Sequence, residues 1–194
     1  MKIPYPDIVL AMARYDAGDP KRIQHALKVF GFASVIGERE GFPPETLAAL
    51  KTAAILHDIG IHNCEKKYGS AAGKYQEKEG PPVARALLAP FGLPEKLTER
   101  VCFLIAHHHT YAGIDGPDYQ ALIEADLLVN LYEDGASPEQ TLAAGRKYFR
   151  TPTGRALLSA AGGARSGPPF RAQKIAGPVW RDGQRHLPEG NPVF

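Results

Sequence analysis

The chain has 194 residues, of which 44% are hydrophobic and 23% charged, and its formal net charge is +2 at pH 7. This length accommodates one sizeable domain with a hydrophobic core, and the balanced charge excludes a strong electrostatic attraction to nucleic acid or to a membrane surface. No apolar run reaches the roughly 18 residues that a membrane-spanning helix needs, so we expect no transmembrane segment.

The start of the chain and its cysteines bear on localisation. A short apolar patch follows Lys2, but Pro4 and Pro6 interrupt it, so we expect no signal peptide. Two cysteines, Cys64 and Cys102, are too few for a disulfide framework and fit a reducing compartment. The sequence therefore predicts a cytoplasmic protein.

Helical patterns dominate the first half of the chain. Asp19 and Pro20 form an N-cap followed by a proline at the first helical position, so a helix begins there, and Gly41 ends it. A second helix begins in PPETLAALKTAAILHD and ends at Gly60. Residues 61–80, IHNCEKKYGSAAGKYQEKEG, are polar and contain glycines, so we expect a loop or a pair of short turns there.

The second half continues in the same way. A third helix follows from PPVARALLAPFG, a fourth is PEKLTERVCFLIAHHHTY and a fifth is PDYQALIEADLLVNLYEDG. A sixth helix starts at Ser137 and Pro138 in SPEQTLAAGRKYFRTPTGRALL. No segment shows the alternation that is typical of a half-buried strand. The pattern predicts a compact, all-α, multi-helix bundle.

Residues 163–194 differ in composition from the rest of the chain. Ten of these 32 residues are Gly or Pro, and basic residues outnumber acidic ones. Such a segment cannot build a core of its own. We therefore expect an all-helical domain at residues 1–162 and an irregular, extended or flexible basic C-terminal tail at residues 163–194, with Phe170 and Trp180 as anchors if the tail lies on the bundle.

A set of histidines and aspartates is distributed over four of the predicted helices. Its members are His25, the doublet His57 and Asp58, the run His107–His109, and Asp126, and each lies beside apolar residues. A single histidine in a helix is usually an ordinary core or surface residue, but an uncompensated buried aspartate is costly. Helices in a bundle can direct such residues to one point. Imidazoles and carboxylates without thiolates favour Mn, Fe, Zn, Ni or Co.

These residues resemble the HD-domain superfamily of metal-dependent phosphohydrolases, which is named for its His-Asp pair. In that family a histidine on one helix, a His-Asp doublet on the next and an aspartate on a later helix correspond here to His25, His57 with Asp58, and Asp126. The resemblance covers roughly residues 19–135 and implies an HD-domain bundle. GKYQEKEGPPVARALL and AHHHTYAGIDGPDYQALIEADLLVNLYED are similar to a bacterial subgroup of unestablished substrate.

The resemblance implies a phosphomonoesterase or phosphodiesterase that uses a metal-activated water on a nucleotide or another small phosphorylated metabolite. Asp58 would also orient the water. Of the histidine run, at most two members can face one site; we favour His108, with His107 second, as a further metal ligand, a phosphate contact or a proton donor to the leaving group. For the phosphate, Lys66 and Lys74 are the nearest substrate-binding candidates, with Lys67 and Arg85 as further options.

Two departures from the family pattern leave alternatives open. Gln76 stands where binuclear members have a further histidine, which puts a second metal ion in doubt, and Ile61 stands where some members have a lysine. A di-iron oxygenase with the same fold and a metal-binding regulatory module without turnover are the alternative functions. The sequence predicts no membrane or nucleic-acid partner and leaves open whether the chain forms a homo-oligomer.

Overall fold

The computed structural model describes residues 2–161 and the backbone of two short strands at 179–181 and 184–186. The chain divides into two units, Met1–Gly162 and Gly163–Phe194. In the first unit, the described residues form nine α-helices and one 3-10 turn at Ala89–Phe91. The helices are α1 (Tyr5–Tyr15), α2 (Pro20–Arg39), α3 (Pro44–Leu56), α4 (Ile61–Tyr68), α5 (Gly73–Leu88), α6 (Glu95–Ile105), α7 (Pro117–Glu133), α8 (Pro138–Tyr148) and α9 (Pro152–Ala161).

Local sequence signals account for several helix ends. The side chain of Asp19 accepts a hydrogen bond of 3.1 Å from the backbone N–H of Arg22, so it caps α2 as its position predicts. Ser137 and Gln140 form a reciprocal capping box at the start of α8. The all-α architecture predicted from the helical patterns is confirmed.

The prediction of a loop at residues 61–80 is wrong. Residues 61–68 form α4, and α5 begins at Gly73 and continues through Pro81 and Pro82, which were expected to start a helix. Both helices are mostly polar, but each has a narrow face that is buried against the bundle, which on α4 consists of Ile61 and Cys64. Tertiary packing therefore outweighs the weak local preference of these residues for a loop, since helices in proteins are stabilised mainly by burying one face.

Two further differences concern the ends of the helical unit. The sequence analysis missed α1, which buries Ile8 and Met12. The single helix predicted from Ser137 is instead α8 and α9, separated at residues 149–151. The buried carboxylate of Glu124 accepts the backbone N–H groups of Arg150 and Thr151 at 2.6 and 2.9 Å. This long-range contact satisfies two N–H groups of the link between α8 and α9, and no local pattern encodes it.

Helix α3 lies at the centre of the bundle. It packs against α1, α2, α6 and α7, and every residue from 48 to 56 except Lys51 is buried. Four alanines in this stretch keep its surface narrow, which lets neighbouring helices approach closely. The next residue in the chain, His57, is consequently delivered into the interior of the protein with 1% of its surface exposed.

The second unit is described only at its two strands. They are β1 (Val179–Arg181) and β2 (Gln184–His186), which pair antiparallel with Val179 opposite His186 and Arg181 opposite Gln184. The sequence analysis did not predict this short hairpin. The anchoring roles expected for Phe170 and for the side chain of Trp180 lie outside the described residues. Among the helices that the structure describes, none combines the length and the apolarity that crossing a membrane requires.

Truncation after residue 162 should leave the helical unit folded. The expected change in melting temperature is less than about 4 °C, corresponding to about 1 kcal/mol or less, in thermal unfolding followed by circular dichroism. Truncation after residue 150 is the matched control, because it removes α9 and its buried Leu158 and should destabilise the protein. Loss of the cooperative transition on removal of residues 163–194 alone would show that the helical unit depends on them.

Candidate metal centre

Three helices bring four of the predicted residues to one point. α2 supplies His25, the turn after α3 supplies His57 and Asp58, and α7 supplies Asp126. The Nε2 atoms of His25 and His57 are 3.1 Å apart, and they lie 3.2 and 3.5 Å from Oδ1 of Asp126. Oδ2 of Asp58 is 3.6 Å from each of the two Nε2 atoms. Residues separated by 101 positions in the chain therefore share one small buried space.

The turn after α3 explains how adjacent residues can face the same space. His57 still has helical backbone angles, but the next hydrogen bonds are shorter-range ones, from the N–H of Ile59 to Leu56 and from that of Ile61 to Asp58. The chain passes α5 closely here, since a Cβ placed on Gly60 would lie 2.5 Å from the backbone nitrogen of Gly80. A tight turn, made possible by that glycine, aims both side chains inward.

Each of three imidazoles is fixed in the tautomer that a metal ligand needs. The Nδ1 atoms of His57 and His108 lie 3.0 and 2.8 Å from the carbonyl oxygens of Ala54 and Ile105, and carbonyls only accept hydrogen bonds. Nδ1 of His25 is 3.0 Å from the Glu133 carboxylate. In the neutral form of each ring, the hydrogen is then on Nδ1 and the lone pair is on Nε2, which in all three rings points toward the carboxylates. Such outer partners are typical of metal-bound histidines.

A second group of donors shares Asp58 with the first. Oδ1 of Asp58 lies 3.4 Å from Nε2 of His108, while its Oδ2 faces His25 and His57. Asp58, His108 and His109 each offer an atom within 4.8 Å of the others. The Nε2 atoms of His108 and His109 are buried and have no hydrogen-bond partner among the described residues. Asp58 is thus the residue that the two donor groups have in common.

The electrostatics of this space favour a positive charge. Burial by itself would lower the pKa of His57, but the carboxylates of Asp58 and Asp126 outweigh it and raise the pKa to about 9. Burial would raise the pKa of Asp58, yet the imidazoles of His57 and His108 lower it to about 2. The pKa of Asp126 is also lowered, against the effect of its burial, by its hydrogen bonds with His25 and His57.

The donor set fits a divalent cation. The Nε2 atoms of His25 and His57, 3.1 Å apart, need a positive charge between or beside them, which a proton or a metal ion can supply, and the carboxylates of Asp58 and Asp126 need compensation as well. Burial and the neighbouring His108 lower the pKa of His109 to about 4, so that its ring is neutral and can act as a donor. Imidazole and carboxylate ligands suit Mn, Fe, Zn, Ni and Co alike, and they leave the identity of the metal open.

Two contacts hold the histidine run in place. The buried hydroxyl of Tyr119, which has one hydrogen to donate, lies 2.7 and 2.5 Å from the carbonyl oxygens of His107 and Thr110. Oε1 of Glu77 accepts hydrogen bonds from the backbone N–H of His109 and from the hydroxyl of Thr110, at 3.2 and 2.9 Å. The turn between α6 and α7 is therefore clamped by α7 on one side and by α5 on the other.

The structure separates the members of the histidine run. His108 faces Asp58 as we favoured, but the ring of His107 packs on Phe103, with ring centroids 4.2 Å apart, and its Nδ1 lies 2.7 Å from the Phe103 carbonyl oxygen. The second histidine near Asp58 is His109, which the sequence analysis did not favour, and not His107, which was its second choice. Three consecutive side chains point in different directions, and only the clamped turn decides which two converge.

The predicted phosphate-binding cations lie outside the donor groups. Lys66 and Lys74 are exposed on α4 and on the first turn of α5, and no ion pair joins either of them to another described residue. Lys67 pairs with Glu79, and Arg85 pairs with Glu95. The amide nitrogen of Gln76 donates to the carbonyl oxygen of Ala71 at 2.8 Å, and its Oε1 is buried without a partner among the described residues.

Several supporting residues escaped the sequence analysis. Asn130 donates a hydrogen bond of 2.9 Å to Oδ1 of Asp126, and Glu133 holds His25. Both follow Asp126 on the same face of α7, at i+4 and i+7, so helical periodicity was a signal that could have found them. A separate network, in which Arg22 lies 3.0 Å from Nδ1 of His62, joins α2 to α4 through long-range contacts that no local pattern reveals.

A cavity of about 1120 Å³ lies at the other end of α3. It is lined mainly by apolar side chains near the N-terminal ends of α3, α6 and α7, among them Phe42, Leu47 and Leu97. Its lining contains none of the donor residues, and Lys51, the lining residue of α3 nearest to His57 in the chain, precedes it by six residues, about 9 Å along the helix axis. This cavity is therefore not part of the candidate metal centre.

Comparison with known proteins gives a consistent result. A family model described as the HD domain matches residues 22–144, a range that contains both donor groups. A crystal structure described as a predicted HD superfamily hydrolase, from an uncultured Thermotogales bacterium, is similar to this chain with a TM-score of 0.56 and 26% sequence identity. The similarity covers 79% of this chain and 82% of that one. No curated protein matches the chain.

Replacement of His108 and replacement of His107 should have different effects on metal binding. We expect His108→Gln to lower the metal content per chain, because its Nε2 faces Asp58, and His107→Gln to leave the metal content unchanged, because that ring packs on Phe103. Elemental analysis of protein purified without chelators measures both. Equal metal content in the two variants, with melting temperatures like that of the original protein, would contradict the assignment of His108 as a donor.

Glu133→Ala should weaken metal binding by about 10- to 100-fold, as removal of outer partners of metal-bound histidines typically does. The carboxylate of Glu133 also pairs with Lys28 at 2.9 Å, so Lys28→Ala is the matched control that keeps the contact with His25. Competition with a chromophoric chelator gives both dissociation constants. If the two variants lose affinity equally, Glu133 does not act through His25.

Proposed function

Because the chain belongs to the HD-domain family of metal-dependent hydrolases, we propose that it is a phosphohydrolase that acts on a nucleotide or another small phosphorylated metabolite. The observation that carries the proposal is the position of Asp58. One of its oxygens faces His25 and His57, and the other faces His108. A carboxylate shared between two donor groups is suited to a centre that binds both a metal ion and a reacting water.

The proposed chemistry is hydrolysis of a phosphate ester. A divalent cation bound by His25, His57, Asp58 and Asp126 would polarise a phosphoryl oxygen and lower the pKa of a bound water from about 16 toward 7. The residues of the chain supply orientation. Asp58, whose pKa is depressed to about 2, stays ionised at neutral pH and accepts a hydrogen bond from the attacking water.

His108 is proposed to contact the phosphate or to donate a proton to the leaving group when it is not a metal ligand. Its Nε2 is buried, faces Asp58 at 3.4 Å and makes no hydrogen bond to the described residues, so it is available for either task. His107 has no part in this proposal, because its ring packs on Phe103. We retain Lys66 and Lys74 as proposed phosphate contacts, since Glu79 and Glu95 neutralise the other two cations considered.

The second donor group bears on an alternative enzyme class. A di-iron oxygenase needs two bound iron ions, and Asp58, His108 and His109 offer three donor atoms for a second ion even though Gln76 replaces a histidine. Two irons per chain together with an O₂-dependent activity and no phosphate release would replace our proposal. Metal-loaded protein without turnover on a broad phosphate panel would instead favour a regulatory module.

Asp58→Ala should lose metal and hydrolysis together. We expect the rate of phosphate release from a panel of phosphomonoesters and phosphodiesters to fall by about 100-fold or more, since both the ligand and the orienting carboxylate are removed. Asp134→Ala, at an exposed aspartate just after α7, is the matched control and should behave like the original protein. Stoichiometric metal in Asp58→Ala would disprove its role as a ligand, and unchanged hydrolysis would disprove the mechanism.

A further inference from the structure

The apolar cavity beside the N-terminal half of α3 has no part in the function proposed above. Its volume of about 1120 Å³ is as large as that of typical small-molecule sites, which enclose roughly 300–1,000 Å³. Ala48 and Ala49 of α3 belong to its lining, and their small side chains leave the space open. The cavity is therefore large enough for a ligand with several rings, and it is separate from the donor residues.

Two aromatic rings of the lining are fixed by their neighbours. The ring centroid of Tyr5 lies 5.9 Å from that of Phe30 and 5.0 Å from Nζ of Lys51. The ring centroid of Phe103 lies 4.2 Å from that of His107. A surface that is ordered in advance loses less entropy when a ligand binds. The cavity thus has preformed aromatic walls, which favour a ligand that also contains a ring.

The two least exposed cations of the lining are already paired with carboxylates. Nζ of Lys51 lies 3.0 Å from Oε1 of Glu38, and the guanidinium of Arg100 lies 2.6 Å from Oδ1 of Asp118. The side chains of Lys51 and Arg100 are 16% and 28% exposed. An anionic ligand would lose its hydration beside these groups without gaining an unpaired cation, which makes its binding unfavourable.

The remaining charged residues of the lining are exposed to solvent. The side chains of Lys96 and Glu45 are each 92% exposed and lie 4.0 Å apart, and Glu99 is exposed as well. The lining as a whole contains three cations and three carboxylates, so that its formal net charge is zero. Charges that remain in water contribute little to binding, because solvent and salt screen them. The cavity is therefore suited to a ligand without a formal charge.

We propose that this cavity is a second ligand site, which binds an uncharged, apolar small molecule that contains an aromatic ring. Its volume, the fixed rings of Tyr5 and Phe103, and the balanced charges of the lining all point to this chemistry. A phosphorylated metabolite would find no unpaired buried cation here, so the ligand differs from the substrate proposed above. The inference does not depend on the proposed hydrolysis, because the lining contains none of the donor residues.

Two fluorescent probes that differ in one charged group test the proposal. N-phenyl-1-naphthylamine is uncharged, and 8-anilino-1-naphthalenesulfonate has the same rings and one sulfonate. Fluorescence titration of the full-length, metal-loaded protein measures the binding of both. We expect the uncharged probe to bind at one site per chain with a dissociation constant of about 10 μM or tighter, and the sulfonate to bind about 10-fold more weakly or worse.

Variants that fill the cavity locate the bound probe. Ala48→Phe places a ring in the space and should weaken binding of the uncharged probe by about 10-fold or more, while the metal content stays unchanged. Thr46→Trp, at a half-buried residue of the same lining, is the second variant in case Ala48→Phe does not fold. Leu142→Phe, at a leucine that is 57% exposed on α8, is the matched control and should have no effect.

Several results would overturn the inference. They are the absence of saturable binding, a sulfonate that binds as tightly as the uncharged probe, and unchanged binding in the folded cavity-filling variants. Sedimentation of the original protein and the variants covers a further case. A dimer of the original protein that dissociates in Ala48→Phe or Thr46→Trp would also overturn the inference, because a second copy of the chain would then cover the cavity.

Discussion

The centre of this protein depends on two carboxylates, one buried and one half-buried, that lie among imidazoles. Asp126 is 2% exposed and Asp58 is half-buried, and their charges would be costly to remove from water without compensation. The fold compensates for this cost because the Nε2 atoms of His25 and His57 lie within 3.6 Å of the two carboxylates. The result is a site whose field attracts a cation, which links the stability of the bundle to the chemistry proposed for it.

The backbone serves this centre in two ways. α3 carries a continuous buried surface and ends in a tight turn, so its terminal residues enter the interior rather than the solvent. The close approach of Gly60 to Gly80 leaves no room for a side chain at the turn. The first half of α5 is a polar segment in which the sequence analysis predicted no helix. This helix is nevertheless needed for the geometry of the His-Asp doublet and for the clamp through Glu77.

The outer contacts matter as much as the donors themselves. The Nδ1 atom of each imidazole is hydrogen-bonded to an acceptor, namely the carbonyl oxygen of Ala54, the carbonyl oxygen of Ile105 or the carboxylate of Glu133. These contacts fix the side of each ring that faces the carboxylates. Such contacts prepare the donors in advance, which is what a metal site requires. The clamp on the histidine run, made by Glu77 and Tyr119, holds the turn from which His108 and His109 face Asp58.

The sequence by itself determined the helical architecture and the identity of four converging residues, because helix caps, helical periodicity and the His-Asp doublet are local signals. His25, His57, Asp58 and Asp126 could be named before any coordinates were known, since charged groups beside apolar stripes need a shared reason to be buried. Only the tertiary structure decided that residues 61–68 and 73–80 are helical, that His109 rather than His107 accompanies His108, and that Glu133 holds His25. These features rest on contacts between distant segments, and the energy that fixes them comes from packing and hydrogen bonds that neighbouring residues in the chain do not encode.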